Sequence, residues 1–347
     1  MEKIIFAGTT LLRKQNTMES KRFVWIDWMK ALGMYFIVAG HFFSIYHKYI
    51  YIFSVPVFFL ISGFLTKREQ SNSLFWRKLG YNLFIPMIIV CGTIYVIHLA
   101  AMSTGGLYFF DYIYKYPLGI IRGDTVALGR CWFIYTLIIV KILYQYIPGK
   151  AYPIVLISVC LLYVSYFMNI HSFFISDTDS NAIVNVCLAF PFFLFGIYFR
   201  SYKKYLDKHY GLFMEWLIFL LSILTVVLCG KFNGYVWMYK NVYGESLALF
   251  LIGGLAGSCA LFILCKWLTR RFGDCRIISV ISKGSIIILG FHYFLIDLLP
   301  HPEQMSMLSA IMDYMGALVI VLLFVPVIRF CETHLPYLIG KYRLLGK

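Results

Sequence analysis

Charge is scarce in this chain. Only 14% of its 347 residues are Asp, Glu, Lys or Arg, 61% are apolar, and mean hydropathy is +0.78. A soluble globular domain carries about a quarter of its residues as charges, so that class is excluded. Acidic residues are the scarcer sign, 16 against 31 Lys and Arg, giving a formal net charge of +15. The nine cysteines (91, 131, 160, 187, 229, 259, 265, 275 and 331) include no Cys-x-x-Cys pair and mostly lie in or beside apolar runs. Neither a zinc site nor a disulfide framework is indicated, and they read as small buried hydrophobes. No appended soluble domain is expected, because all but one of the gaps between apolar runs are short, and no internal repeat of the transporter kind is visible. The first 17 residues lack the apolar core and small-residue cleavage site of a signal peptide. Met18, followed by Glu-Ser-Lys-Arg, is therefore expected to be the start of translation.

What the chain has in abundance is apolar runs of membrane-spanning length, roughly 20 residues. Ten can be marked, at about 23–44, 49–66, 79–101, 130–147, 152–170, 183–200, 212–230, 245–267, 281–300 and 307–330. The expected fold is an all-α polytopic membrane bundle, with a cytoplasmic segment 1–21, a transmembrane domain 22–330 and a cytoplasmic tail 331–347. With the N-terminus inside, 23 Lys and Arg fall in inside segments. Six fall outside: Lys48, Lys115, Arg122, Arg130, Lys231 and Lys240. That asymmetry is the positive-inside signature and fits an even number of crossings with both termini cytoplasmic. The positive charge therefore sets topology and calls for no nucleic-acid partner.

Polar residues inside such runs are costly and point to function. The first run reads Asp27-Trp-Met-Lys30, ten mostly apolar residues ending in Gly40, then His41. At about 100° per residue, Lys30 and His41 fall about 20° apart on one helix face, with Asp27 on the same stripe. Helix rise separates Lys30 from His41 by about 16 Å and Asp27 from His41 by about 21 Å, so the stripe holds two stations rather than one site. A neutral imidazole at mid-membrane depth suits a general base acting on a hydroxyl, and a structural hydrogen bond is the alternative. Asp27 and Lys30 fit either an i, i+3 ion pair anchoring the helix or a site where Lys30 meets an anionic ligand and Asp27 steadies it. In the second run Pro56 is expected to kink or break the helix, while Ser62-Gly63 permits close approach, taken to be to the first span. In the ninth, Ser285 and His292 are seven apart and share a face. His292 lies about 14 Å from Lys283, a depth similar to that of His41.

Three outer connections stand out. The 28 residues from Met102 to Gly129 are long enough to be functional or to hold an element of their own. Segments 171–182 and 231–244 mix aromatic residues with Asn and Asp. That mixture fits sugar binding and equally an interfacial aromatic belt.

Three segments together resemble the membrane-bound acyltransferase-3 family, most of all its fucose 4-O-acetylase-related branch. They are Asp27-x-x-Lys30…Gly40-His41, Pro56-Val-Phe-Phe-x-Ile-Ser-Gly63-Phe, and Lys283-Gly-Ser285-Ile-Ile-Ile-Leu-Gly-Phe-His292. Shorter matches fall in order between them: Phe75-Trp-Arg77-Lys78 ahead of Pro86, Trp132-Phe133, Phe193-Leu-Phe-Gly196 and Tyr243-Gly-x-Ser-Leu-Ala-Leu-Phe. The resemblance implies transfer of an acyl group, often acetyl from acetyl-CoA, onto hydroxyls of surface glycans or their precursors in the bacterial inner membrane. It implies His41 as catalytic histidine, acting as base or transiently acylated. Lys30, Asp27, Arg77 and Lys78 would serve the donor, and Ser285 and His292 the acceptor or the oxyanion. Acetyl-CoA or another acyl-CoA enters as co-substrate, with no cofactor or metal; the other partners are the glycan and the lipid bilayer. Two positions depart from the family pattern. Lys30 stands where an arginine is common, keeping the charge but losing the bidentate fork. Arg77-Lys78 are adjacent where an Arg-x-x-Arg spacing is common. A transporter or flippase of a glycan or small solute is the competing class, since interrupted helices and intramembrane histidines suit it too.

Overall fold

The computed structural model describes residues 22–340 apart from 43, 45, 102–106, 148–150, 171–179, 210 and 300–305. Residues 1–21 with Met18, most of the outer segment 171–182, and the tail beyond 340 lie outside the described residues. Every one of the ten apolar runs is largely helical. Six helices among the described residues are long and apolar enough to cross a membrane, or seven if one bent pair counts as a single span. The molecule is thus a multi-pass helical membrane protein.

Helix α1 (Val24–Gly40) is the centre. It buries residues on every side, among them Met29, Ala31, Met34, Ile37 and Val38, as a helix enclosed by others must. Its neighbours are α2 (His47–Tyr51), α3 (Pro56–Leu65), α12 (Leu247–Phe272), α13 (Arg276–Lys283), α14 (Ser285–Ile296) and α15 (Met307–His334). His41 is the residue that ends α1, its amide bonding Val38 O at 3.1 Å. The second run is broken just before Pro56, as the sequence suggested: turn residues 52–55 part α2 from α3, and Pro56 opens α3 at its first turn, where a missing N–H costs little. The Gly63 approach is corrected. A Cβ there would run into the Phe193 carbonyl of α10 (Val186–His209), and one at Gly196 would run into the Leu60 carbonyl. The two glycines thus lock α3 against α10, and α3 touches α1 less extensively.

The expected ninth span is broken. Helices α13 and α14 meet at Gly284 with a bend of 84°, and Gly284 sits so close to Ile328 of α15 that a side chain there would overlap it. The bend turns the start of α14 into the protein. Between these elements the chain forms α4 (Asn72–Leu79), a π-turn (Gly80–Phe84) and α5 (Ile85–Ala101). It continues through α6 (Leu107–Arg122), α7 (Thr125–Leu128), a 3-10 turn (Gly129–Cys131), α8 (Trp132–Tyr146), α9 (Ala151–Ile170) and α11 (Leu212–Phe232). The long outer connection does hold its own element, since α6 lies within it. Segment 231–244 folds as a small antiparallel hairpin, β1 (Val236–Trp237) against β2 (Val242–Tyr243). Asn241 makes its turn in the left-handed region at φ 56°, which asparagine tolerates well. Asn185 pins the hairpin from α10's start, donating to Met238 O at 2.9 Å and accepting from the Tyr243 hydroxyl at 3.0 Å. The hairpin is thereby fixed over the end of α1.

Candidate active site

Two cavities adjoin along α1. The first, about 390 Å³, is lined by Asp27 and Lys30 of α1, Asn82 of the π-turn, Ser282 and Lys283 of α13, and Ser285 at the start of α14. The second, about 190 Å³, is lined by His41, Tyr51, Arg130, Trp132, Trp237 and Tyr293, with Ser54, Tyr239 and apolar neighbours completing the wall. Ile37, Phe133 and Leu289 belong to both walls, so three apolar side chains stand between a lysine chamber and a histidine chamber. The two stations inferred from helix rise therefore occupy separate, neighbouring cavities.

In the histidine chamber the Nδ1 of His41 lies 3.3 Å from the Tyr293 hydroxyl and 3.4 Å from that of Tyr51. His292 stands behind it, with ring centroids 5.1 Å apart and its own side chain fully buried. The Nδ1 of His292 is 2.8 Å from Ile288 O and 3.0 Å from Leu289 O. Carbonyls only accept, so Nδ1 carries the proton and the neutral ring keeps a lone pair on Nε2. That Nε2 is buried without a hydrogen-bond partner among the described residues. The sequence paired these histidines by depth alone; the fold brings them together through α1 and α14. Ser285 is not with them. It lines the lysine chamber, seven residues and about 10 Å from His292 along α14.

The lysine chamber departs from expectation at Asp27. Its carboxylate accepts from Arg22 Nε at 2.7 Å and from the Ser282 hydroxyl at 2.6 Å. Arg22 also reaches Asp274 at 2.9 Å, so Asp27 ties the α1 entrance to α13 rather than pairing with Lys30. Lys30 feels Asp27 electrostatically but has no hydrogen bond or ion pair among the described residues. A cation lining a cavity without a direct partner invites an anion. Ser285 and Ile286, the first residues of α14, line the same cavity, and a helix start favours anions. Arg77 and Lys78 are exposed on α4, outside the cavity wall, and Lys78 is paired with Glu69 at 2.7 Å.

Sequence reasoning missed Lys141 and Arg130. Lys141, alone in the apolar run of α8, donates to the Thr66 hydroxyl at 2.6 Å and acts electrostatically with Lys30. Its isolation among apolar residues was the available signal. Arg130 was counted with the outer charges, yet it directly precedes Cys131 and the quoted Trp132-Phe133 pair, and it lines the histidine chamber. Tyr51 and Tyr293 carried no signal beyond adjacency to the motifs.

Buried titratable side chains arranged around adjoining cavities in a helical membrane protein mark a functional site. A family model described as an acyltransferase domain, acyltransferase-3, matches residues 23–331. The chain belongs to that acyltransferase family. Among curated proteins it is similar to the nodulation protein NolL of Sinorhizobium fredii (strain NBRC 101917 / NGR234), 25% identical over 135 residues. That match covers 34% of this chain and 35% of NolL, so the chain spans about a third of that relative's length. No solved structure matches.

Proposed function

We propose that the protein transfers an acyl group, acetyl from acetyl-CoA, onto a hydroxyl of a surface glycan or its precursor, with His41 as general base. The observation that carries this reading is the pair of adjoining cavities along α1, one holding Lys30 and the other His41. The lysine chamber suits the donor, because Lys30, Lys283 and the start of α14 offer charge and amides to CoA phosphates. Arg77 and Lys78 lie on the exposed approach. Lys30 replaces a fork by a single ammonium, and Ser285 beside it supplies a hydroxyl. The thin pantetheine arm passes the apolar wall of Ile37, Phe133 and Leu289 to bring its thioester to His41. Aromatic faces at Trp132, Trp237 and Tyr51 suit the apolar faces of a sugar ring, in keeping with the fucose 4-O-acetylase-like motifs. His292, with its tautomer held by Ile288 O, backs His41 as the base takes a proton. Ten crossings, both termini on the cytoplasmic side and a bacterial inner membrane complete the reading, supported by the 23 to 6 distribution of Lys and Arg.

Mass spectrometry of surface glycan from cells expressing wild-type or His41→Ala protein tests it. The variant, present at equal level, is expected to leave the glycan chain intact and remove its acyl groups. Acyl groups retained in the variant would overturn the assignment, and loss of the glycan itself would favour the transport class.

A further inference from the structure

Arg130 is the one formal charge on the histidine chamber wall that the proposed reading leaves without a task. Its guanidinium carbon lies 3.4 Å from the centroid of the Tyr293 ring, and the hydroxyl of that ring is 3.3 Å from His41 Nδ1. The cation is therefore held against the reacting histidine rather than at the rim of the cavity. The guanidinium also hydrogen-bonds the Tyr293 side chain, which fixes its plane, and with five N–H groups it has others left to donate. Among the described residues Arg130 makes no ion pair, and no Asp or Glu lines its chamber. A fixed cation beside a base that gains a proton is a like-charge arrangement. An anion forming between the two relieves it, and in a low-dielectric interior that relief is large.

We propose that Arg130 is a catalytic residue that holds the oxyanion formed on the thioester carbonyl, an inference that rests on His41 acting as base in acyl transfer from CoA. The acceptor hydroxyl oxygen bonds to the carbonyl carbon while His41 takes its proton. The carbonyl π electrons move to oxygen, where Arg130 N–H groups meet the new charge. On collapse the carbon–sulfur bond breaks, the thiolate leaves with the electron pair, and it takes the proton from His41. The products are an ester and CoA thiol.

The test uses full-length protein in open membranes, radiolabelled acetyl-CoA as donor, and surface glycan of the source organism stripped of esters by mild alkali as acceptor. Arg130→Gln is expected to lower kcat about 100- to 1,000-fold, the loss typical of one oxyanion donor, with KM for acetyl-CoA and half-saturating glycan little changed. Arg130→Lys, which keeps a charge and a donor, is expected to fall between. Thermal unfolding in detergent checks that both variants fold; if the Gln variant does not, a wild-type kcat in the Lys variant would overturn the proposal. Wild-type turnover in the Gln variant would overturn it. So would a change confined to the glycan requirement, which would place Arg130 on an anionic group of the acceptor. Label transferred by His41→Ala, or none by wild type, would instead refute the reading beneath it and this inference with it.

Discussion

Lys30 has no direct partner among the described residues, and a cation in that position reports on what binds there. An ammonium lining a cavity beside a helix start is stabilised when an anion arrives. Lys30→Met is therefore expected to remove a charge-assisted contact of about 1.5–3 kcal/mol, raising KM for acetyl-CoA roughly 10- to 100-fold with kcat little altered. Kinetics on membranes at varied acetyl-CoA check this; an unchanged KM would move the phosphates elsewhere. At this scale the sequence was partly readable. His41, Lys30 and His292 were visible because ionisable residues inside apolar runs announce themselves. The partner of Asp27 was not visible, because Arg22 and Ser282 reach it by a bend and a crossing that periodicity does not encode. Arg130 was hidden by its place at the end of a run, where a charge usually marks only topology.

Helices α3 and α10 show how an element can be readable while its partner is not. Ser62-Gly63 signalled a close approach, but not to which helix, and the structure sets Gly63 against the Phe193 backbone and Gly196 against that of Leu60. Gly63→Ala puts a methyl group into the Phe193 carbonyl. It is expected to destabilise the protein by at least the about 1–3 kcal/mol of an overpacked core, seen as a lower unfolding temperature in detergent. An unchanged temperature would mean the two helices separate at no cost. The break at Gly284 was likewise unreadable as a break. Gly284 followed a lysine at the start of an apolar run, which a continuous helix tolerates at a cost of about 1 kcal/mol. Its crowding against Ile328, a contact between distant parts of the chain, is what marks the bend as a feature of the packing. The bend sets the start of α14 at the lysine chamber, while Ser285 and His292 stay seven residues, about 10 Å, apart along that unbroken helix.

At the scale of the whole molecule, the proposed reaction is divided between two chambers, and the wall they share is apolar. Helix rise along α1 already separated Lys30 from His41, so this division was readable in outline. The walls were not, because Phe133 comes from α8, Leu289 from α14 and Trp237 from the hairpin, segments far apart in sequence. Leu289→Trp would fill the shared wall. It is expected to abolish transfer while acetyl-CoA still binds the membrane protein, measured by equilibrium binding of labelled acetyl-CoA beside the transfer rate; transfer at the wild-type rate would show that the donor does not cross there. Family membership fixes the acyltransferase class over nearly the whole chain, and the histidine chamber is where the proposed reading puts the base. The most direct measurement is transfer of label from acetyl-CoA to ester-stripped surface glycan by membranes carrying equal amounts of wild-type or His41→Ala protein. The account predicts alkali-labile label on the glycan with wild type and none above background with the variant; equal label in both would contradict it.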